Sequence, residues 1–290
     1  MPFSRTVLTV LGLILSLFLC EIGLAQDSDL YRIETRDGNV FIGTLISEDE
    51  TRVVIEAQGI GELTIERANI RRMEAIDPER IRDGVYWYPN PQATRYLFAP
   101  NAIGLPQGAG YYQNTWIFFN NVNYGFTDNV SMGVGTVPVF LFGVPAVPVW
   151  LLPKVSISSP ADNVHLAAGA VLGGIVGADD SGGAGIVYGL GTFGNQDSNI
   201  SVGAGFGYAG TDFSSTPALT ISAMHRVSRT LYLITENYAF TNDGAAGVAS
   251  VGLRWAPERF AVDFGLVRPL DVGGDFIGFP WLGVAIPFGR

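Results

Sequence analysis

The stretch NISVGAGFGYAG, residues 199–210, decides the fold because its side chains alternate between two classes. Ile200, Val202, Phe206 and Tyr208 stand on a bulky apolar face, and the positions between them hold only Ser, Gly and Ala. A period of two is the pattern of a β-strand, in which successive side chains point to opposite faces of a sheet. The stretch therefore predicts a strand with one bulky apolar face and one small face.

The same plan recurs along the chain as an alternating run, a short polar pivot and a second alternating run. Three clear examples are NYGFTDNVSMGVG (123–135), AMHRVSRTLYLIT (223–235) and GLRWAPERFAVDFG (252–265). Such repeats are typical of consecutive β-hairpins, and the region from residue 93 to residue 290 holds about ten to twelve strands of suitable length. The sequence predicts an all-β, antiparallel fold here, with twelve as the favoured number of strands.

The direction of the bulky face separates two kinds of barrel. A soluble barrel or sandwich keeps its large side chains inside and its charged side chains outside. Here the face opposite the bulky residues is made of Gly, Ala and Ser with almost no Lys or Glu, which would be a poor surface in water. Turned the other way, the bulky face meets lipid and the small face lines the lumen. The sequence favours an antiparallel transmembrane β-barrel over the soluble alternative.

Composition excludes other classes of protein. The chain of 290 residues is 48% hydrophobic and only 15% charged, yet beyond its first 25 residues it has no apolar run long enough for a spanning helix. This argues against a helical membrane protein. The net charge of -10 argues against nucleic acid as a partner, because binding phosphates requires a basic surface.

The first 25 residues have the plan of a secretory signal peptide. Arg5 gives a cationic start, an apolar segment runs from Val7 to Leu19, and the small residues Gly23 and Ala25 are spaced for cleavage. The apolar segment is shorter than the roughly 20 residues of a membrane span. We expect residues 1–25 to be removed, together with the single cysteine of the chain.

Residues 27–76 differ from the rest by their density of charge and predict a small β domain. Asp37-Gly38 and Gly59 to Gly61 mark tight turns between about five short strands. The segment 77–92 carries three prolines and is predicted to be a linker.

This small domain resembles Sm-like, SH3-like β-barrels. The motif Asp37-Gly38, Gly43, Leu45 and Asp49 is similar to the first motif of that family, and Ile70-Arg71 is similar to the start of the second. The resemblance implies a small barrel. Its RNA-binding positions do not match, since Val53 and Arg72 stand where the family has Asn and Gly. Because of this mismatch in an acidic, secreted module, we expect residues 27–76 to be a scaffold or assembly module that binds a periplasmic protein and not a nucleic-acid binder.

The later part resembles outer-membrane β-barrel proteins of Gram-negative bacteria that carry an Sm-like module ahead of the barrel. The resembling stretches are FNNVNYGFTDNVSMGVG, VPVWLLPKVSIS, NVHLAAGAVLGG and the closing LGVAIPFGR. The family implies an outer-membrane location, a periplasmic N-terminal domain, and lipid and the insertion machinery as partners. The closing strand is similar to the insertion signal, from which it departs by Gly289-Arg290 after the terminal aromatic residue.

Aromatic residues near predicted strand ends suggest interfacial girdles. Tyr208, Tyr238, Trp255 and Trp281 occupy such places, where the aromatic belts of outer-membrane barrels occur. We expect these four side chains to point outward at the rims.

The residues that could carry chemistry are few, and no catalytic, cofactor-binding or metal-binding set is predicted. Neither histidine has metal-ligand spacing; His165 has lumen-facing parity, and His225 has the outward parity of a girdle residue. Four charges are embedded in the predicted strands and are expected to face the lumen or to pair, namely Lys154, Glu236, Arg254 and Asp263. Arg254 and Asp263 have inward parity on neighbouring strands, which predicts a lumenal ion pair.

These patterns leave three functions open. The first is a small passive channel or carrier for small solutes, and the second is a structural or assembly protein of the envelope that acts through residues 27–76. The third, less favoured, is a lipid hydrolase embedded in the barrel, which would require an outward Ser, a His and an acid near one rim. The expectation is a protein without enzymatic activity and without a cofactor.

Overall fold

The computed structural model describes residues 30–57, 59–141, 146–159, 163–177, 182–240, 246–272 and 276–289. The chain divides into two compact units, residues 1–86 and residues 87–290, and each is described by itself. The predicted signal peptide, residues 1–25, lies outside the described residues. In the described ranges, no helix is long and apolar enough to cross a bilayer.

The first unit is an antiparallel sheet of five strands followed by a short hairpin. The strands of the sheet are β1 (Leu30–Thr35), β2 (Val40–Glu48), β3 (Arg52–Ala57), β4 (Gly61–Glu66) and β5 (Ile70–Ala75), in the order β4-β3-β2-β1-β5. The hairpin consists of β6 (Ile81–Arg82) and β7 (Val85–Tyr86). Gly38 forms the predicted turn between β1 and β2 with a φ of 92°, a conformation that favours glycine.

One face of this sheet forms an apolar core around Ile33, Val53, Ile55 and Ile65. The sequence predicted a closed small barrel in this region. In the described residues the edge strands β4 and β5 do not pair with each other, so the observed element is a sheet and not a separate barrel.

The second unit is a large antiparallel sheet that closes on itself. Its strands are β8 (Gly110–Thr115), β9 (Phe119–Gly125), β10 (Val130–Thr136), β11 (Val147–Leu151), β12 (Lys154–Ser159), β13 (Val164–Val176), β14 (Ala184–Gly194), β15 (Ser198–Ala209), β16 (Asp212–Phe213), β17 (Ala218–Arg226), β18 (Leu231–Phe240), β19 (Ala246–Trp255), β20 (Ala261–Pro269) and β21 (Phe279–Phe288). Each long strand pairs with its neighbours in the chain, and β21 pairs with β8 to complete the ring.

The closed barrel has twelve strands, here called staves, when β11 and β12 are counted as one. This confirms the favoured strand number. The segments β11 and β12 lie in line between β10 and β13 and together form one stave. Pro153 stands at the break between them, because proline lacks the N–H that a continuous ladder requires. The short β16 extends the hairpin that follows β15.

The barrel has bulky apolar side chains outside and small or polar side chains inside. In β15 the side chain of Val202 is 45% exposed and that of Ser201 is 2% exposed. The same alternation leaves Ile221, Leu233, Val251 and other large apolar residues exposed along the staves. Because successive residues of a strand point to opposite faces, the order of the sequence alone produces this inverted surface. The parity predicted for β15 is confirmed.

The outward direction expected for the four aromatic residues is correct for two of them. Tyr208 and Trp255 lie on the outward face, and the ring of Trp255 packs edge-on against Phe260. Tyr238 and Trp281 point inward: the hydroxyl of Tyr238 donates to Glu236, and Trp281 is 6% exposed in the interior cluster. Along β18 and β21 these two residues occupy the alternate positions whose side chains face inward. This alternation, and not their closeness to a strand end, sets the direction of their side chains.

The two ends of the barrel differ in their connections. At one end, here called the short-turn end, the turns span residues 126–129, 195–197, 227–230 and 256–260. At the opposite end, the long-loop end, four of the six connections are longer, namely 137–146, 177–183, 210–217 and 270–278, and the other two, 116–118 and 241–245, are as short as the turns. Strand β8 begins and strand β21 ends at the short-turn end.

Residues 87–109, here called the internal segment, precede the first barrel strand and contact the inward faces of the staves. The sequence assigned residues 77–92 to a linker and began the barrel at residue 93. In the structure the boundary between the units follows Tyr86, and the first stave begins at Gly110. The internal segment lacks a period of two and contains four prolines, at positions 89, 91, 100 and 106. Such a composition does not form a stave of the sheet.

Candidate functional site

The internal segment enters the barrel at the short-turn end, where Arg226 holds it. The Nη1 atom of Arg226 donates to the carbonyl oxygen of Tyr88 over 2.9 Å and to the Asp197 carboxylate over 3.0 Å. The guanidinium also lies over the rings of Trp87 and Tyr232, at 4.9 and 5.1 Å from their centroids. The aromatic and ionic contacts together attach the start of the segment to β17 and β18.

Further along, Arg254 joins the segment to the wall through the backbone. Its Nη1 atom donates to the carbonyl oxygens of Gln92, at 2.8 Å, and Arg95, at 3.2 Å. Its Nη2 atom donates to the carbonyl oxygen of Tyr96 over 2.8 Å. The same guanidinium forms an ion pair with Asp263 on the neighbouring stave, so the lumenal pair anticipated from parity is present and also binds the internal segment.

The deepest part of the segment is held by Glu236 and by the hydroxyl of Tyr96. The Oε2 atom of Glu236 accepts from the backbone N–H groups of Phe98, at 2.9 Å, and Ala99, at 3.1 Å. The Tyr96 hydroxyl lies 2.6 Å from Asn199 Oδ1 and 2.7 Å from Ser201 Oγ. These charge-assisted and neutral bonds give the tip of the segment one defined position.

The returning half of the segment is bound by a second set of inward side chains. The backbone N–H of Ala102 donates to Thr192 Oγ1 over 2.8 Å. Lys154 Nζ donates to the carbonyl oxygens of Asn101, at 3.1 Å, and Ile103, at 2.8 Å. The four charges noted in the sequence, at positions 154, 236, 254 and 263, all lie in the interior, and three of them bind the backbone of the internal segment.

An apolar cluster completes the filling of the short-turn half of the lumen. Tyr96 and Leu97 of the segment pack against inward residues of the staves, and the members of the cluster are Tyr96, Leu97, Met224, Tyr232, Ile234, Ala256, Ala261, Trp281 and Ala285. Packing of this kind leaves little room for solvent. The internal segment therefore obstructs the lumen in this half.

Above the tip of the segment, in the long-loop half, the barrel contains a cavity of about 350 Å³. Its floor includes Arg95, Phe98 and Pro100 of the internal segment, and its walls come from staves on one side of the barrel. Phe98 is 55% exposed although the residues on both sides of it are buried, so its ring projects into open space within the lumen. A volume of this size is in the range of small-molecule sites.

The interior charge of the barrel unit is unbalanced towards the cationic side. The described residues of this unit include four buried cations, Arg95, Lys154, Arg226 and Arg254, and two buried carboxylates, Glu236 and Asp263. Asp197, which pairs with Arg226, has a side chain that is 13% exposed. Four cations against three carboxylates leave one excess positive charge inside a chain whose net charge is -10.

His165 lies apart from the cavity, near the short-turn end of β13. Its side chain is buried, and Nε2 lies 3.1 Å from the carbonyl oxygen of Gly194. Its Nδ1 atom has no hydrogen-bond partner among the described residues. The structure does not bring His165 together with Arg254 and Asp263.

His225 lies on the outer face and contacts a serine, as a barrel hydrolase would require. Its Nδ1 atom is 2.9 Å from Ser198 Oγ, with His225 exposed at the short-turn end. In the described part of the chain no carboxylate is hydrogen-bonded to this histidine, and the nearby Asp197 carboxylate binds Arg226 and Tyr232. A Ser-His pair without an orienting acid is not a complete triad.

Among the residues that the structure describes, no group of three or more His, Cys, Asp or Glu side chains could hold a metal ion. The sequence had identified the interior charges but not the internal segment or the cavity. The internal segment could have been recognised from the sequence, because residues 87–109 contain four prolines and show no alternation of apolar and small side chains before the first barrel strand.

Comparison with known proteins finds distant structural likeness only. No family model matches the chain, and no curated protein matches it. The KdgM porin in complex with disordered oligogalacturonate is similar at 7% identity with a TM-score of 0.43, covering 62% of this chain and 96% of that one. A loop L8 deletion mutant of OmpT, an outer-membrane protein of Vibrio cholerae, is similar at 11% identity with a TM-score of 0.35, covering 90% and 96%.

The outer-membrane expressed OmpT of Vibrio cholerae is also similar, at 11% identity with a TM-score of 0.33, covering 90% of this chain and 94% of that one. Scores this low describe a general likeness between barrels and say nothing about what this chain binds.

Proposed function

We propose that this protein is an outer-membrane β-barrel that admits a small solute from its long-loop end and whose internal segment controls passage through the lumen. The observation that carries the proposal is the cavity of about 350 Å³ directly above the internal segment. The proposal refines the passive channel expected from the sequence, because residues 87–109 obstruct the short-turn half. Activity as an enzyme and a bound cofactor form no part of it.

The membrane location is supported by the inverted surface of the barrel. Large apolar side chains are exposed on the staves, and arginine, lysine and glutamate side chains are buried inside. A closed barrel satisfies its backbone hydrogen bonds without a free edge, which is the condition for strands in lipid. We expect recovery in the outer-membrane fraction and a shift in gel mobility on boiling. Recovery in the soluble periplasm with unchanged mobility would contradict the location.

We infer the orientation in the membrane from the four longer connections of the barrel. In outer-membrane barrels the short turns face the periplasm and the longer loops face outside. The internal segment enters at the short-turn end through Tyr88, so we propose that the preceding unit, with its Sm-like resemblance, lies in the periplasm. Lipid and the insertion machinery, which would recognise the closing strand ending at Phe288, are the corresponding partners.

Conductance in planar bilayers tests the control of passage. In the variant Tyr96→Phe/Glu236→Leu the phenylalanine lacks the hydroxyl, and leucine offers no acceptor to the backbone N–H groups of Phe98 and Ala99. We expect a small conductance for the wild type and a larger one for the variant, because the tip of the segment loses its bonds to the wall. Equal, large conductances would contradict the proposal.

A second candidate function concerns the five-stranded sheet. Strands β4 and β5 stand at its edges, and an unpaired edge is a template for another strand. We propose a periplasmic protein as the partner of residues 27–76. A photo-crosslinking side chain at the exposed Thr64 of β4 should then form an adduct in cells, whereas the same group at exposed Glu50, in the turn, should not. Equal yields at both positions would contradict an edge-specific partner.

A further inference from the structure

The cavity above the internal segment is lined by polar groups that have no partner in the protein. Five lining residues have a buried side-chain nitrogen or oxygen without a hydrogen bond among the described residues, and the atoms are Arg95 Nε, Gln113 Oε1, Asn121 Nδ2, Asn123 Nδ2 and Trp281 Nε1. Each of these residues is at least nine-tenths buried. A buried polar group without a partner is costly, so five around one cavity point to a ligand that supplies the partners.

Four of the five atoms can only donate a hydrogen bond, namely the two asparagine Nδ2 atoms, Arg95 Nε and Trp281 Nε1. Arg95 Nε and Trp281 Nε1 carry a hydrogen and offer no lone pair to a donor. The guanidinium of Arg95 is held in place by a bond from Nη1 to the carbonyl oxygen of Phe98 over 2.9 Å. Its Nε atom is therefore held in place but donates no hydrogen bond among the described residues. A ligand that binds there would need to offer a hydrogen-bond acceptor.

The charged residues that line the cavity indicate the charge of the acceptor group on the ligand. Arg95 and Lys154 line the cavity, and among the residues that the structure describes no aspartate or glutamate does. Glu236 lies in the same half of the interior, but its carboxylate is occupied by the backbone of the internal segment and by the hydroxyl of Tyr238. An anionic acceptor is favoured here because hydrogen bonds to an ionised group are about twice as strong as neutral ones.

Aromatic rings form a continuous wall beside the polar groups. Trp116 packs on Trp281 with 4.9 Å between centroids, Phe119 lies 6.3 Å from Trp116, and Trp150 lies 6.1 Å from Phe119. Three of the five tryptophans of the chain line this cavity. Rings of this kind contribute a large apolar contact surface and prefer offset or edge contacts with a planar ligand.

We propose that the cavity binds a small organic anion with a planar apolar body, with an aromatic carboxylate as the chemical class. The carboxylate accepts hydrogen bonds from Arg95 and Trp281, and the ring system lies along the wall that includes Trp116. This inference rests on the proposed function in one respect, since the solute must reach the lumen from the long-loop end.

The test is a binding measurement by ¹⁹F NMR on the full mature chain in zwitterionic nanodiscs. The probes are 6-fluoro-2-naphthoate and its neutral amide, 6-fluoro-2-naphthamide, with empty nanodiscs to subtract partition into lipid. We expect the naphthoate to bind about tenfold more tightly than the amide, in line with the greater strength of charge-assisted bonds. Equal affinity of the two probes, or no saturable binding of the naphthoate, would overturn the proposal.

Variants then locate the site. Trp281→Phe removes a donor while keeping a ring, and Arg95→Gln removes the cation; each should lower naphthoate affinity about tenfold. Arg268→Gln, at the long-loop end of β20 and outside the cavity lining, should leave the affinity unchanged. Unchanged affinity in both Trp281→Phe and Arg95→Gln would place any binding elsewhere and overturn the proposal.

One more variant tests whether the side-chain amide of Asn121 binds the ligand or stabilises the barrel. Asn121→Leu keeps the number and branching of the side-chain heavy atoms and removes an amide nitrogen that has no partner among the described residues, so the empty barrel should keep its resistance to urea. We expect weaker naphthoate binding in this variant without a loss of stability. Weaker binding that accompanies a loss of stability would count against the assignment. Conductance measured on the same samples tests the control of passage separately.

Discussion

Arg254 and Asp263 face each other on adjacent staves and form two parallel hydrogen bonds, Nε to Oδ1 over 2.7 Å and Nη2 to Oδ2 over 2.9 Å. Both side chains are almost fully buried, with exposures of 0% and 3%. The remaining hydrogen atoms of the guanidinium bind backbone carbonyls of the internal segment. This pair therefore connects β19, β20 and residues 87–109 at a single point.

Removing the carboxylate of this pair should destabilise the barrel. Asp263→Asn leaves Arg254 charged and buried without its counterion, a change that typically costs about 3–5 kcal/mol. Urea unfolding in liposomes, followed by tryptophan fluorescence, measures the loss. The control is Asp271→Asn, at an exposed position beyond β20; equal effects of the two variants would contradict the role given to the pair.

Locking the internal segment to the wall should reduce conductance if the segment moves during passage. The backbone nitrogen of Ala102 lies 2.8 Å from Thr192 Oγ1, so the variant Ala102→Cys/Thr192→Cys brings two thiols together in a mature chain predicted to have no other cysteine. We expect lower conductance after oxidation and recovery after reduction. Either cysteine alone should show no dependence on redox state. A conductance that is the same in both states would show that passage does not require this movement.

Two exposed apolar positions should differ in what surrounds them. Val202 is 45% exposed on the outer face, and Phe98 is 55% exposed within the lumen. A fluorophore on Val202→Cys should be quenched by nitroxide-labelled lipid, and one on Phe98→Cys should be quenched by aqueous iodide instead. Gly203 is a poor lumenal control, because a Cβ there would lie 2.7 Å from the carbonyl oxygen of Gly189. Lipid quenching at position 98 and not at 202 would reverse the barrel faces.

Arginine on the outer face should be costly at depth. Val202→Arg places a charge where lipid is proposed, and such changes cost roughly 2–4 kcal/mol near the bilayer midplane. Val202→Leu keeps the apolar character and should have little effect. Unfolding of both variants in urea measures the difference. If the arginine variant were as stable as the wild type, position 202 would not face lipid.

The turn between β2 and β3 should make the first unit sensitive to acid. The pKa of Asp49 is lowered, chiefly by the hydrogen bond from the Thr51 hydroxyl and then by the backbone N–H groups of Thr51 and Arg52. A lowered pKa in the folded state gives stability above the unfolded pKa of about 3.9 that is lost as the pH falls.

The test compares the full chain with its Asp49→Asn variant. Hydrogen exchange of the backbone amides of β2 and β3 measures the unfolding of the first unit in each. The wild type should be more protected at pH 7, and the difference should shrink progressively as the pH falls below about 4. Glu50→Gln is the control at the next position. If the difference between the wild type and Asp49→Asn grew on acidification, the pKa of Asp49 would not be lowered in the folded state.

The sequence by itself determined the local features of the barrel. A period of two is a property of neighbouring residues, so it predicted the staves, their number and the outward direction of Val202 without knowledge of any long-range contact. It also placed Arg254 and Asp263 on one face of adjacent strands, because a short turn sets the register of a hairpin.

Only the tertiary structure decided what fills the lumen. Phe98 and Glu236 are 138 residues apart in the chain, and Tyr96 and Ser201 are 105 apart, so no local pattern links them. Once the ring closes, its interior must be filled and its buried charges must find partners, and the irregular residues 87–109 supply both apolar side chains and backbone carbonyls. Closure also created the cavity between Trp281 and the tip of the internal segment.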